Sequence, residues 1–457
     1  MRVFLIQTAK GLFSSSGGYK ANNALLRYLA ARGHRVRQLC YFHGGEIESY
    51  LQTLCSSNGH DSGLHTKMLH MRSEDGRLAV DVQVHKLCME DGVEVVALDS
   101  EAFENAFGGK VVFHSQLARM SAEYIESGIS PLPLLDFVLF LQEEIRRFSP
   151  THMISNDGLS MQASFATDLA YLDMRRIVVV HTAEQLPFGP FAGGMPGHSC
   201  TAHEADLLHR LDGIWSVSEV IRKYALDYGQ LQTRFLFHHP WTYLVGKGHE
   251  VPRHLFNWDK KFVAMINPCA VKGSSVFLSL ARACPKLDFL AYLSWGTDDK
   301  IVNQMEDLNN LTIRPSCTDE DDLWRDIKVL VAPSLWCEAW GMVVIEAHLR
   351  GIPVVSSDAG ALPESMLGMD YIIPATHVHG ERDDFGVYIV PKQDIRPWVK
   401  VVTKLMQDRT EYERVSMDVR NATKQWLRGQ NSITTIENWL MRMVVSSDKH
   451  ERASAHM

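Results

Sequence analysis

Short apolar runs alternate from end to end with amphipathic stretches of helical period, and the series starts afresh past residue 260. This alternation narrows the fold more than anything else in the chain. Buried strands separated by helices build βαβ units and mostly parallel sheets, so the class is α/β, and a second series requires a second sheet. The first series places strands at Val3–Ile6, Val36–Cys40, Val93–Leu98, Met153–Ser155, Ile177–Val180 and Gly213–Ser216, with helices over Asn22–Arg32 and Leu134–Phe148. The second places them at Phe262–Ile266, Phe289–Leu293, Leu311–Ile313, Val329–Ala332, Pro353–Ser356 and Tyr388–Val390.

At 457 residues the chain exceeds one doubly wound core, which predicts two domains and a cleft between them. Within Trp241–Asp259 the stretch Gly246–Pro252 breaks both periods and reads as a linker. The expected domains are 1–248 and 249–429. A helix over 430–446, with Ile433, Ile436, Trp439, Leu440 and Met443 on one stripe, is expected to pack back on the first domain, and the polar tail 447–457 is expected to fray.

Charge and cysteine usage exclude several classes of function. Forty-six basic against 54 acidic residues give a net charge of −8, and no Lys/Arg run could cover a phosphate backbone, so nucleic acid is not an expected partner. The 8 cysteines are scattered without a CxxC pair and read as reduced thiols of a cytoplasmic protein. The first apolar run is too short for a signal-peptide core, and no stretch reaches the roughly eighteen apolar residues of a membrane span. Peripheral contact with a membrane stays open.

Four segments could carry chemistry. Gly17-Gly18 follows the first strand and opens a helix, where backbone N–H groups can receive an anion; the spacing is not GxGxxG, and a plain βα turn is the rival reading. Glu338-Ala339-Trp340-Gly341-Met342-Val343-Val-Ile-Glu346 follows the strand Val329–Ala332 and Pro333-Ser334. Gly341 falls at a helix N-terminus suited to a diphosphate, and the two carboxylates suit hydroxyl-rich ligands, since they accept paired hydrogen bonds from diols. A chance pair on a solvated helix face is the bland alternative. Downstream, Gly351-Ile-Pro353 and Asp358-Ala-Gly360 supply the helix stop, buried strand and loop that border a nucleotide site.

The third segment, Asn267-Pro-Cys-Ala-Val-Lys272-Gly273, ends the first strand of the second series; a lysine beside a positive helix end points to a bound anion. The fourth is His181-Thr182 at the carboxyl end of a buried strand, where a ligand role and a structural role compete evenly. His238-His239 lacks a third ligand at metal spacing, so no metal site is expected.

Together these segments resemble the retaining GT-B glycosyltransferases of glycosyltransferase family 4. The shared pattern is E-x7-E, here Glu338 to Glu346, set among Pro-Ser, Trp-Gly, Gly-x-Pro-Val-Val, Asp-x-Gly and Pro-Glu. Gly17-Gly18, Arg32-Gly33-His34-Arg-Val36 and Ser216-Val-Ser218 also match. The resemblance implies two Rossmann-like domains facing across a cleft, with a nucleotide-sugar donor on the second and the acceptor mainly on the first. Position by position it implies Glu346 on the ribose, Lys272 on the diphosphate, the amides of Gly341 to Val343 on phosphate and sugar, Glu338 on the transferred sugar, His181 near the reaction centre and Gly18 near the β-phosphate. The family commonly carries Arg where this chain has Asn267, with Arg314 a candidate substitute.

The resulting expectation is a metal-independent, retaining hexosyltransferase without a cofactor, using UDP-glucose by default and a small sugar or lipophilic acceptor. The apolar loop Leu186–Pro196, read as flexible, motivates the lipophilic choice. No second carboxylate presents itself as a nucleophile, so retention would proceed on one face, with Glu338 positioning and stabilising. A catalytically silent nucleotide-sugar-binding protein is the alternative, favoured by Asn267. A dehydrogenase would need a GxGxxG turn and an acidic residue ending strand two, where the chain has Leu39-Cys40-Tyr41.

Overall fold

Among the described residues nine strands form the first sheet: β1 (Arg2–Gly11), β2 (Arg35–Phe42), β3 (His65–Arg72), β4 (Ala79–Cys88), β5 (Glu94–Asp99), β6 (His152–Ser155), β7 (Arg175–Val180), β8 (Gly213–Ser216) and β9 (Phe235–Phe237). Their order is β3-β4-β5-β2-β1-β6-β7-β8-β9, parallel except where β4 runs against β3 and β5. The second sheet joins β10 (Phe262–Ile266), β11 (Asp288–Tyr292), β12 (Leu311–Arg314), β13 (Ile327–Ala332), β14 (Val354–Ser357) and β15 (Ile372–Ile373) in the order β12-β11-β10-β13-β14-β15, all parallel. The structure is a computed structural model describing residues 1–443 apart from 15, 58–62, 241–243, 245–249, 295, 316, 318, 319, 385, 386 and 430–433. Most of the expected linker Gly246–Pro252, Ile433 and the tail 447–457 lie outside the described residues.

The second order is the doubly wound arrangement in which successive strands are laid to one side of the first and then to the other. The first sheet follows the same rule from β5 to β9. Each sheet therefore has one switch point, between β1 and β6 and between β10 and β13, where the loops leaving two neighbouring strands part and open a crevice at their carboxyl ends.

Two compact units result. One comprises Met1–Val217, Ile221–His238 and the helix 434–443; the other comprises the described residues of Ser218–Val220 and His239–Asn431. The helix 434–443 is tied into the first unit by Glu437, which accepts from Tyr28 Oη at 3.1 Å and pairs with His34 Nε2 at 2.8 Å. Gly213 makes room for it, since a Cβ there would lie 2.5 Å from the Trp439 ring.

The hairpin β3–β4 escaped the strand expectations. Its strands alternate rather than run apolar, because one face meets solvent. Its lysines have a structural use: Lys67 and Lys86 bond the fully buried carboxylate of Glu144, on the helix Leu134–Phe148, at 2.8 and 2.5 Å. Conversely, among the described residues no strand forms at Tyr388–Val390, where Tyr388 enters an isolated bridge with Arg382. The loop Leu186–Pro196 is not free either. Phe191 is buried and stacked on Tyr224, whose hydroxyl accepts from the Phe191 N–H at 3.1 Å and donates to the Phe188 carbonyl at 3.0 Å. Its rings are committed to packing and cease to argue for a lipophilic acceptor.

A second buried carboxyl lies at the carboxyl end of β6. Glu204 accepts from Ser199 Oγ at 2.8 Å, and a Cβ on Gly158 would lie 2.4 Å from its carboxyl carbon. Burial pushes its pKa from 4.5 up to about 8. Between those values the folded chain keeps a proton that the unfolded chain has lost, so stability declines by about 1.4 kcal/mol per pH unit as pH rises through that window. Glu204→Gln is expected to match the wild type in urea titrations at about pH 4, below the window, and exceed it at about pH 8. Equal stability of the two proteins at pH 8 would show that the carboxyl is ionised in the fold at no cost.

Candidate donor site

The second switch point brings together the loops that leave β10 and β13. The first loop turns at Asn267, whose φ of 58° is left-handed, a conformation asparagine tolerates better than most residues. Asn267 is buried, and its Oδ1 accepts from the Gly296 N–H at 3.1 Å, so the amide braces the loop after β11. It serves the backbone, at the position where glycosyltransferase family 4, which the sequence resembles, commonly carries arginine. Gly273 then caps the helix Ser274–Ala283 with φ 83°, lying so close to Pro333 that a Cβ would stand 2.0 Å from that carbonyl oxygen. The Leu335 N–H donates to the Val271 carbonyl at 2.9 Å and joins the two loops.

This joining puts Lys272 against Glu338. The ammonium donates to both carboxylate oxygens, at 2.8 and 2.9 Å, with side chains 27% and 15% exposed. Gly360 holds the Glu338 backbone: a Cβ there would lie 2.2 Å from the Glu338 nitrogen, and the neighbouring Ala361 N–H donates to the Glu338 carbonyl at 2.7 Å. Gly341, at φ 82°, caps the helix Met342–Leu349, and a Cβ on it would meet Leu362 at 2.8 Å. The first amides of that helix have no intrahelical acceptor and aim their dipoles outward.

Lys272, Glu338, Gly341, Val343 and Ser334 line a cavity of about 40 Å³, room for a phosphoryl group or waters but not for a whole nucleotide sugar. Ser334 Oγ, which the sequence reading passed over, is buried there without a hydrogen-bond partner among the described residues and can donate to an anion. Only its place after Pro333, on the loop leaving β13, hinted at such a use. Glu346 is half-buried on the same helix, three positions after Val343 and so on the face that Val343 turns to the cavity, but it does not line it.

Three expected donor contacts lie elsewhere. Arg314 donates to Asp326 Oδ2 at 3.0 Å and Tyr292 Oη at 3.1 Å and does not line the cavity. Trp340 turns inward: it is 2% exposed, stacked on His239 with ring centroids 3.6 Å apart and on Trp426 at 5.6 Å, so the indole is a packing element. Ala339, beside it, is half-buried and does not line the cavity.

In the first unit, Gly17 and Gly18 begin the helix Gly17–Ala31 after β1, and His181 follows β7. Gly18 and His181 touch: a Cβ on Gly18 would lie 2.9 Å from the imidazole Cγ. The glycine is what admits the ring.

Residues 262–408, the span that contains this site, match the family model described as Glycosyl transferases group 1. No curated protein sequence matches the chain. Solved structures do. The catalytic domain of Starch Synthase IV from Arabidopsis thaliana, bound to ADP and acarbose, is 12% identical with a TM-score of 0.62, the match covering 97% of this chain and 99% of that one. Sucrose-phosphate synthase from Thermosynechococcus elongatus is 14% identical with a TM-score of 0.60, covering 98% and 99%. HepE of Anabaena in complex with UDP-glucose is 13% identical with a TM-score of 0.56, covering 98% and 100%. At such identities the likeness establishes the fold, two Rossmann-like domains of the GT-B type. The class is thereby set: a GT-B glycosyltransferase fold carrying a group 1 glycosyl transferase domain. Among the described residues no helix is long and apolar enough to cross a membrane.

Proposed function

We propose that this chain is a retaining, metal-independent hexosyltransferase of glycosyltransferase family 4 that moves a sugar from a nucleoside diphosphate, UDP-glucose by default, to a hydroxyl of a small acceptor in the cytoplasm. One observation carries the reading: Lys272 and Glu338 meet at 2.8 Å in a cavity at the N-terminus of the helix Met342–Leu349, inside the group 1 domain. The ADP and UDP-glucose bound by two proteins of the same fold support a nucleoside diphosphate as the leaving group.

In this reading the diphosphate takes over the Lys272 ammonium and the amides of Met342 and Val343. Glu338, released, accepts hydrogen bonds from the sugar, and Glu346 those of the ribose. As the bond from the anomeric carbon to the phosphate oxygen breaks, charge grows on that oxygen, and Lys272 with the helix end stabilises it in place of a divalent cation. The acceptor hydroxyl attacks from the same face and gives its proton to the departing phosphate. The same reading assigns His181, on the first unit, a part in the reaction, and Gly18 is the residue that leaves room for its ring.

Mass-spectrometric assay of hydrolysis and transfer across UDP-, ADP- and GDP-sugars tests the assignment. Glu346→Ala is expected to lower kcat/KM at least about tenfold, the loss of a charged hydrogen-bond pair to the ribose diol. Equal turnover by the two proteins sinks the reading. Tight nucleotide binding by calorimetry with no transfer from any donor would instead favour the catalytically silent protein, which the engagement of Asn267 with Gly296 rather than with the cavity supports.

A further inference from the structure

Behind His181 runs a line of buried amides. Gln7 on β1, Asn22 on the helix Gly17–Ala31 and Gln38 on β2 are 0%, 1% and 3% exposed. Asn22 Nδ2 donates to Gln7 Oε1 at 2.9 Å, and Gln7 Nε2 reaches Gln38 Oε1 at 3.4 Å. With its NH2 group committed to Gln7, Asn22 turns its carbonyl oxygen to His181 Nε2, 2.9 Å away. An oxygen that can only accept requires a proton on Nε2, so the neutral ring keeps its lone pair on Nδ1, the nitrogen only 3.1 Å from where a Gly18 Cβ would stand. From the backbone side, Gln185 Oε1 accepts from the His181 N–H at 2.6 Å and so fixes the strand end that carries the ring.

Three fully buried amides in a line cost more desolvation than a leucine or valine core would, and they hold one direction only while every link is made. We propose that Asn22, backed by Gln7 and Gln38, is a positioning residue that fixes His181 as the neutral Nε2–H tautomer and presents Nδ1 as an acceptor beside the Gly18 turn; its part in transfer rests on the reading of His181 given above. An amide suits this task where a carboxylate would not, because a negative charge at Nε2 would draw a second proton onto the ring.

The test uses the full chain labelled with ¹⁵N-histidine, with the His181 resonances picked out of the 21 histidines by their loss in His181→Gln. In the wild type His181 is expected to show the Nε2–H pattern, and in Asn22→Leu to lose that preference. Asn22→Asp is expected to raise the His181 pKa by about one to two units and to move the acid limb of kcat up with it, leaving donor KM within about threefold. Where a buried carboxylate prevents folding, the leucine variant carries the test. A wild-type ring protonated on Nδ1, or a titration and pH profile that neither variant moves, overturns the proposal. The spectra need no substrate, so a ring that responds in a protein transferring no sugar from any donor upholds the Asn22–His181 link and overturns the glycosyltransferase reading instead.

Discussion

Lys272→Ala is expected to lower kcat/KM by roughly 10²–10³, the range measured when one preorganised donor to a developing negative charge is removed. The size of the effect follows from what surrounds the ammonium. Among the described residues lining the cavity, Lys272 is the one with a positive charge. Asn267 brings no charge and has its Oδ1 on Gly296, while Arg314 is held by Asp326 and Tyr292. Stability should change little, since a partly exposed ion pair contributes at most about 1 kcal/mol. Lys272→Arg keeps the charge but cannot place it as a single point, and it should recover part of the rate. A loss below tenfold in Lys272→Ala, measured by steady-state assay with the donor that works best, would mean that another group neutralises the diphosphate.

Gly273→Ala is expected to cost about 3 kcal/mol of stability, from a left-handed residue that acquires a side chain and from overpacking against backbone. The added carbon would stand 2.0 Å from the Pro333 carbonyl oxygen at φ 83°, and Pro333 sits on the loop leaving β13 with little freedom to yield. The strain is relieved only by separating the two loops that bring Lys272 to Glu338. Activity should therefore fall further than melting alone explains, which chemical denaturation together with assays well below the transition resolves. A variant as stable and as active as the wild type would show that the two loops part freely.

The second sheet was largely legible because its strands are buried on both faces and read as unbroken apolar runs between Gly and Pro signals; Val263, Val329 and Val355 are fully buried. The hairpin β3–β4 was not, because half-exposed antiparallel strands mix lysines with apolar residues, and the partner of Lys67 and Lys86 lies on a helix far along the chain. That Lys272, Glu338 and Gly341 come together at one cavity could be read from the order of elements, whereas Glu346 lies off its lining. Which way Trp340 points could not, since that depends on His239 and Trp426. Asn267 read as a missing charge. Its left-handed backbone and its bond to Gly296 give the residue a use that no spacing displays.

The stack on Trp340 also has a mechanical meaning. The chain returns to the second unit at His239, and the last long helix there, Arg409–Gly429, carries Trp426, so the two ends of this long stretch rest on one indole. That indole is two residues from Glu338 and next to Gly341. A shift of His239 or of Trp426 therefore bears on Trp340, and through it on the segment that the proposed function assigns to sugar and phosphate.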